Sequence, residues 1–488
     1  MRQFIHNSLI LSALFVTASM SACRDKTVDE IPDGASTYVG FSIEYNGQLT
    51  TDRVQTRYSE DDYNKVGTYE GKDLISSIDL YLVSPDGTFL ESKRFVAATD
   101  LTYSYNSAGI QVIEPRTPFK TTAGDKVAIV IINSPRPLMA TQPANDQTFA
   151  ITTSLPFSAI GSFVDYQGER RLQSIFTGKS EVTTIVDGVS VDQVRTGSNH
   201  IELSVNRLVS RVVVSKAPDM ETKSTLDGTF SHTTYAVGQG ALAAYIFPQI
   251  EGTEYKSWGY DYMPDGNYLA TASQFYCYED LLDPFDVPVN LNTPQDPQAN
   301  LASYEGKLLL ENTHLYGANA STTKYRKGNT AYVLISTIFT PSASSIKDGG
   351  TLTGGTFYLG ETDQEIYSSI EAATNATTTT GSYNQQVRTY KGGKMLYFVW
   401  LNPDDITRPM NSPVLRNNVY QINISAIHKL GVNWNPLNPD INNPDPKPEG
   451  PEPDSPIVPI DPLTLDDTYM TVDIEVANWT VHAYDVEL

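Results

Sequence analysis

Two cysteines occur in 488 residues. Cys23 closes an apolar leader, and Cys277 stands alone in QFYCYED, where it reads as a small packed residue rather than a nucleophile. Once the leader is processed no internal disulfide can form, so packing has to hold the chain together. Basic residues are also scarce. Lys and Arg number 34 against 57 Asp and Glu, a formal charge of −23. Phosphate backbones are bound by positive surfaces, so nucleic acid is excluded as a partner. The acidity fits a solvated exterior on a crowded cell surface. The six histidines (His6, His200, His232, His314, His428 and His482) are isolated from one another. No H-E-x-x-H, C-x-x-C, G-x-S-x-G or P-loop pattern occurs, which argues against an enzyme. No EF-hand spacing is present, and acidic pairs such as Asp61-Asp62 and Asp404-Asp405 read as solvated surface or weak cation sites. A metal is therefore left undetermined, and no cofactor is expected. Beyond the leader, no apolar run is long enough to cross a membrane as a helix.

The leader itself is informative. MRQFIHNSLILSALFVTASMSAC carries Arg2, an apolar stretch from Leu9 to Val16, and Met20-Ser21-Ala22-Cys23. The last four residues resemble a bacterial lipobox, in which the chain is cut before a cysteine that becomes lipidated. Residues 1–22 are thus expected to be a signal peptide, with a lipid anchor on Cys23.

The remainder reads as β structure. Tyrosine (29) outnumbers phenylalanine (17), and Thr, Ser, Asn and Gly abound, a composition that favours strands and turns. Leu74–Val83, Lys126–Asn133, Leu208–Lys216, Ala331–Phe339 and Lys394–Leu401 are apolar runs expected to be buried strands. Short strands with turn signals between them suggest two β-sandwich domains, at 58–206 and 207–434. The aromatic stretch from Tyr255 to Tyr278 reads as a self-packed loop in preference to an exposed sugar-binding platform.

The two ends share one pattern. In the segment 23–57, Val39, Phe41, Ile43 and Tyr45 face one way, with Gly40, Ser42 and Glu44 between them. Arg53 and Arg57 follow in a polar stretch suited to proteolysis. At the other end, residues 435–466 form a proline-rich tether, expected to be an extended, semi-rigid arm at about 3.1 Å per residue. The terminal segment 467–488 then alternates through Met470, Val472, Ile474 and Val476, after which Trp479 takes over the apolar phase. An added strand supplies main-chain hydrogen bonds and inserts alternate side chains into pockets, so both segments suit one slot in a sheet.

Several stretches resemble one family. GTYEGKD (67–73), LLENTHLYGANA (309–320), KYRKGNTAYVL (324–334), WLNP (400–403), NSPVLRNNVYQINISAIHKLGVNWNPL (411–437) and the ending TYMTVDIEVANWTVHAYDVEL are similar to the type V pilins of Bacteroidales, most of all to shaft fimbrillins of short (minor) fimbriae. The resemblance implies an all-β fold of two transthyretin-like β-sandwich domains with a proline-rich tether and a C-terminal donor strand. It implies export as a lipoprotein to the outer membrane and cleavage by an Arg-specific protease after Arg53 or Arg57. It further implies polymerisation with identical subunits by donor-strand exchange, and tip and anchor fimbrial proteins as further partners at the cell surface.

Overall fold

The computed structural model describes residues 36–45, 73–105, 111–134, 154–278, 306–401 and 413–463, with brief breaks, and three short strands between 471 and 487. Strands dominate; among the described residues no α-helix exceeds five residues.

The first unit contains β1 (Thr37–Tyr45), β2 (Ser77–Val83), β3 (Phe89–Val96), β4 (Leu101–Tyr105), β5 (Gln111–Pro115), β6 (Phe119–Thr121), β7 (Gly124–Ile132), β8 (Phe176–Lys179), β9 (Thr183–Ile185), β10 (His200–Ser204) and β11 (Asn206–Arg207). One sheet has the order β10-β1-β5-β4, with β6 also on β1; the other runs β11-β8-β7-β2-β3, with β9 on β7. Their facing side chains form one core, in which Val39, Phe41 and Ile43 meet Ile78, Leu80, Val130 and Ile132. Strands β2 and β7 are apolar almost throughout because both of their faces are covered. Their second face carries Tyr81, Val83, Ile129 and Ile131, which pack with Val213, Leu310 and Val419 of the second unit. The two units therefore share an apolar wall. Beside it lie two buried ion pairs, Arg207–Asp73 and Arg416–Glu311, the latter fork-shaped and completed by carbonyl oxygens of Tyr245 and Ile246.

The second unit is built on β12 (Ser210–Lys216), β13 (Gly228–Gly238), β14 (Lys307–Leu309), β15 (Tyr332–Pro341), β16 (Lys394–Trp400) and β17 (Asn418–Ala426). Strand β12 runs parallel to β17 and antiparallel to β14, and β13-β15-β16 form the facing sheet. The core between them gathers Val212, Val214, Tyr235, Val333, Ile335, Tyr397, Val399, Ile422 and Ile424. All five apolar runs picked out in the sequence thus supply core strands, β2, β7, β12, β15 and β16.

The proline-rich segment departs from expectation. Instead of projecting as an arm, it lies as a strap on the outer face of β15 and β16. Alternation along these strands puts Tyr332, Leu334, Leu396, Phe398 and Trp400 on that face, and Leu437 and Ile457 of the strap cover them. Prolines leave few backbone donors to satisfy, and short polar side chains serve those that remain. Asn435, Asn438, Asp440 and Asn443 each accept from the N–H two residues on, at 2.8–3.0 Å, forming successive Asx turns. The Lys327 and Gly328 N–H groups donate to the carbonyls of Asp461 and Pro459 at 3.0 and 2.8 Å. Gly328 is required there, since a Cβ would stand 2.8 Å from Pro459.

Leu437 is fully buried, so Leu437→Ala is expected to cost about 2–5 kcal/mol, read as a fall in the denaturant midpoint of the purified chain. An exposed arm would show a change within about 0.5 kcal/mol, and that result would refute the strap.

Candidate functional site

Strand β1 comes from the N-terminal end of the described chain, yet it occupies the interior of its sheet. Gly40–Glu44 pair in parallel with His200–Ser204 of β10. On the opposite edge, Ile43–Tyr45 pair antiparallel with β5 and Thr37–Val39 with β6. Val39, Phe41 and Ile43 are at most 1% exposed. Phe41 meets Phe95 edge to face at 5.1 Å. Burying three such side chains contributes roughly 5–9 kcal/mol before entropy costs. The Tyr45 backbone pairs with Gln111.

A polar clasp holds the Thr37 end. Asn199 sits at φ 47°, a left-handed conformation that Asn tolerates. Its Nδ2 donates to Thr37 Oγ1, Tyr38 O and Val186 O at 2.8–3.0 Å, and its Oδ1 accepts from the Val186 N–H. Thr37, fully buried, donates to Val186 O and accepts from the Val189 N–H. Over the middle of the strand lies the short helix Val191–Arg195, closed by a capping box between Ser190 and Gln193. It approaches so closely that a Cβ on Gly40 would meet Val194 at 2.8 Å. Thr121, opposite Thr37 across the ladder, donates to Glu91, which also faces Lys126. Burial pushes the Glu91 carboxyl up and the Lys126 ammonium down, and their mutual attraction opposes both shifts.

Sequence reasoning missed Asn199, Thr37 and Gly40. The only available signal was the polar stretch before His200, whose Asn can adopt positive φ; a contact 162 positions away leaves no local mark.

The terminal segment contributes β18 (Thr471–Asp473), β19 (Val476–Asn478) and β20 (Asp485–Glu487). In this structure they extend the second unit, not the first. Strand β19 pairs antiparallel with β17, Val476 opposite Tyr420, and β20 pairs with β17 in parallel. Val472 on β18 stands opposite Val486 on β20. Cys23, Arg53, Arg57, Met470, Ile474 and Trp479 lie outside the described residues.

Among the described residues no catalytic grouping emerges. Among the described residues no cluster of three His, Cys, Asp or Glu could hold a metal. Buried His314 has its two ring nitrogens 2.8 Å from the carbonyls of Tyr260 and Asn329, which ties loops together; burial pulls its pKa down. The aromatic stretch is largely self-packed: Tyr262 stacks on Phe275 at 4.4 Å, and the Tyr268 hydroxyl engages Gln239, Tyr278 and the strap carbonyl of Leu437.

Comparison with known proteins finds fimbrial relatives. Residues 388–485 match the family described as major fimbrial subunit protein type IV, fimbrillin, C-terminal. The chain is a homologue of the fimbrillins of Bacteroidales. One relative is the minor fimbrium subunit Mfa1 of Porphyromonas gingivalis, 29% identical in an alignment 523 positions long, gaps included, that covers 99% of this chain and 99% of that one. Among solved structures, a fimbrial assembly protein from Parabacteroides distasonis aligns with TM-score 0.33 and 10% identity, covering 80% of this chain and 90% of that one. The tip fimbrial protein Mfa3 from Porphyromonas gingivalis, with C-terminal truncation, aligns with TM-score 0.29 and 9% identity, covering 79% and 94%.

Asn199→Ala removes the clasp and places a residue that disfavours positive φ. It is expected to cost about 1–3 kcal/mol in denaturant unfolding of the uncleaved chain. An unchanged midpoint would remove Asn199 from its role.

Proposed function

We propose that this chain is the shaft subunit of a surface fimbrium, exported as a lipoprotein and polymerised by donor-strand exchange. The observation that carries the reading is the placement of β1. An inner strand, paired on both edges and packed through Val39, Phe41 and Ile43, is supplied by the segment just ahead of Arg53 and Arg57. Cutting the chain after either arginine detaches that strand covalently from the rest of its sandwich. Its departure leaves an apolar slot with unpaired donors and acceptors on both walls, a surface that invites another strand. The terminal segment offers apolar residues of matching period at Met470, Val472, Ile474 and Val476. Full-length similarity to a minor fimbrium subunit supports the same reading.

In this scheme Cys23 carries the lipid that holds the precursor on the outer membrane, and no other cofactor takes part. An Arg-specific protease cuts after Arg53 or Arg57. Identical subunits then fill one another's slots, with accessory tip and anchor proteins ending the fibre. The mature fibre stands at the cell surface and serves adhesion and biofilm formation. A monomeric glycan-binding lipoprotein would need its aromatic side chains presented to solvent, whereas Tyr262, Tyr268 and Tyr276 are buried and the other aromatics between Tyr255 and Tyr278 are half-buried.

Deleting Asp467–Leu488 is expected to abolish fimbriae on cells while leaving a secreted, folded subunit; normal fimbriae would refute the donor role. Replacing Arg53 and Arg57 together is expected to leave a full-length precursor in the membrane fraction, with no heat-labile ladder of polymers on gels. A normal ladder from that variant would refute activation by cleavage.

A further inference from the structure

Exposed apolar side chains stand at two places that strand exchange makes important. The first lies where the strap ends. Tyr268 and Pro459 flank Gly328 from two sides, each within 3 Å of where its Cβ would be. Their chain neighbours Leu269, Val458 and Ile460 are 61%, 39% and 50% exposed. The second lies at the Thr37 end of the slot. Val186, whose carbonyl accepts from Thr37, is 59% exposed, and Val182 is 53% exposed.

Chain length brings the two together. The strap is fastened up to Pro462, which bridges to Arg326, so the terminal segment has a fixed root. From Leu463 to Met470 there are seven residue steps, a reach of at most about 25 Å when fully extended. A donor running in the direction of β1 restores the same pairing, parallel to β10 and antiparallel to β5 and β6, and puts its first apolar residue in the Val39 pocket. It then enters beside Thr37, past Val186. The strap end of one subunit therefore stands within about 25 Å of the slot rim of the next, near enough for the two to meet.

We infer that Leu269, Val458 and Ile460 of one subunit dock on Val182 and Val186 of a second copy of this chain, forming a rigid contact beside the exchanged strand. The inference rests on the strand-exchange reading and adds a second interface to it. The flexible alternative is a fibre of beads joined by the exchanged strand alone.

Paired cysteines test it. Val186→Cys with Ile460→Cys, and separately Val182→Cys with Val458→Cys, are placed in a Cys277→Ser chain, and sheared fimbriae are mildly oxidised. At least one pair is expected to give ladders that survive boiling and collapse on reduction, with no ladder from any single cysteine. Fimbriae that assemble yet give no reducible ladder from either pair overturn the docking while leaving strand exchange intact. As a second arm, Ile460→Asp and Val182→Asp are each expected to reduce polymer yield at least ten-fold. In the same variants, binding of a synthetic 467–488 peptide to the cleaved subunit is expected to be unchanged. Unchanged polymer yield in both overturns the docking. Failure of the peptide to bind the cleaved wild-type subunit counts against strand exchange itself, and the cysteine ladders still decide the contact.

Discussion

The first unit depends on the burial of β1. Three apolar side chains at alternate positions fill the space between its two sheets, and the backbone on either side of them completes ladders that would otherwise end in open edges. Without that strand β10 and β6 would lose their partner, and β5 would keep only β4. Most sandwiches draw their inner strands from the middle of the chain, where the backbone on both sides fixes them. Here the strand is attached to the remainder through residues 46–72 alone, and its own end is pinned by Thr37, Asn199 and Val186. A strand so placed is held strongly by packing and weakly by covalent continuity, the combination an exchangeable element requires.

The second unit is secured differently. Strands β15 and β16 are apolar on both faces, and among the described residues no third sheet covers the outer one. The strap does that work with a chain poor in backbone donors and rich in Asx turns, so it needs no ladder of its own. Where the strap ends, three short strands continue onto β17, the edge of the opposite sheet. One terminal stretch therefore serves both sheets of its own unit before any neighbour is considered.

Much of the fold was legible because buried strands write continuous apolar runs. LISSIDLYLV announced the strand β2, and KVAIVIIN announced β7 as a buried strand. The alternation of Val39, Phe41 and Ile43 announced β1, though not its inner position, since an edge strand has the same period. The strap was misread because proline content speaks for extension and says nothing about contact. Leu437 and Ile457 were the clue, being isolated apolar residues spaced to meet a wide face. The clasp was illegible because Asn199 acts on residues 161 and 162 positions away. A local pattern carries no trace of that pairing.

The fastening of the strap also has a mechanical consequence. Tension applied to the chain beyond Leu463 does not reach the β sheet at a single point. It passes into backbone bonds at Lys327 and Gly328, then into the packed Ile457, the Asx turns and Leu437. The strap is therefore an anchorage that shares a load among successive contacts. Under flow, such an element would let out chain and absorb work before the sandwich yields.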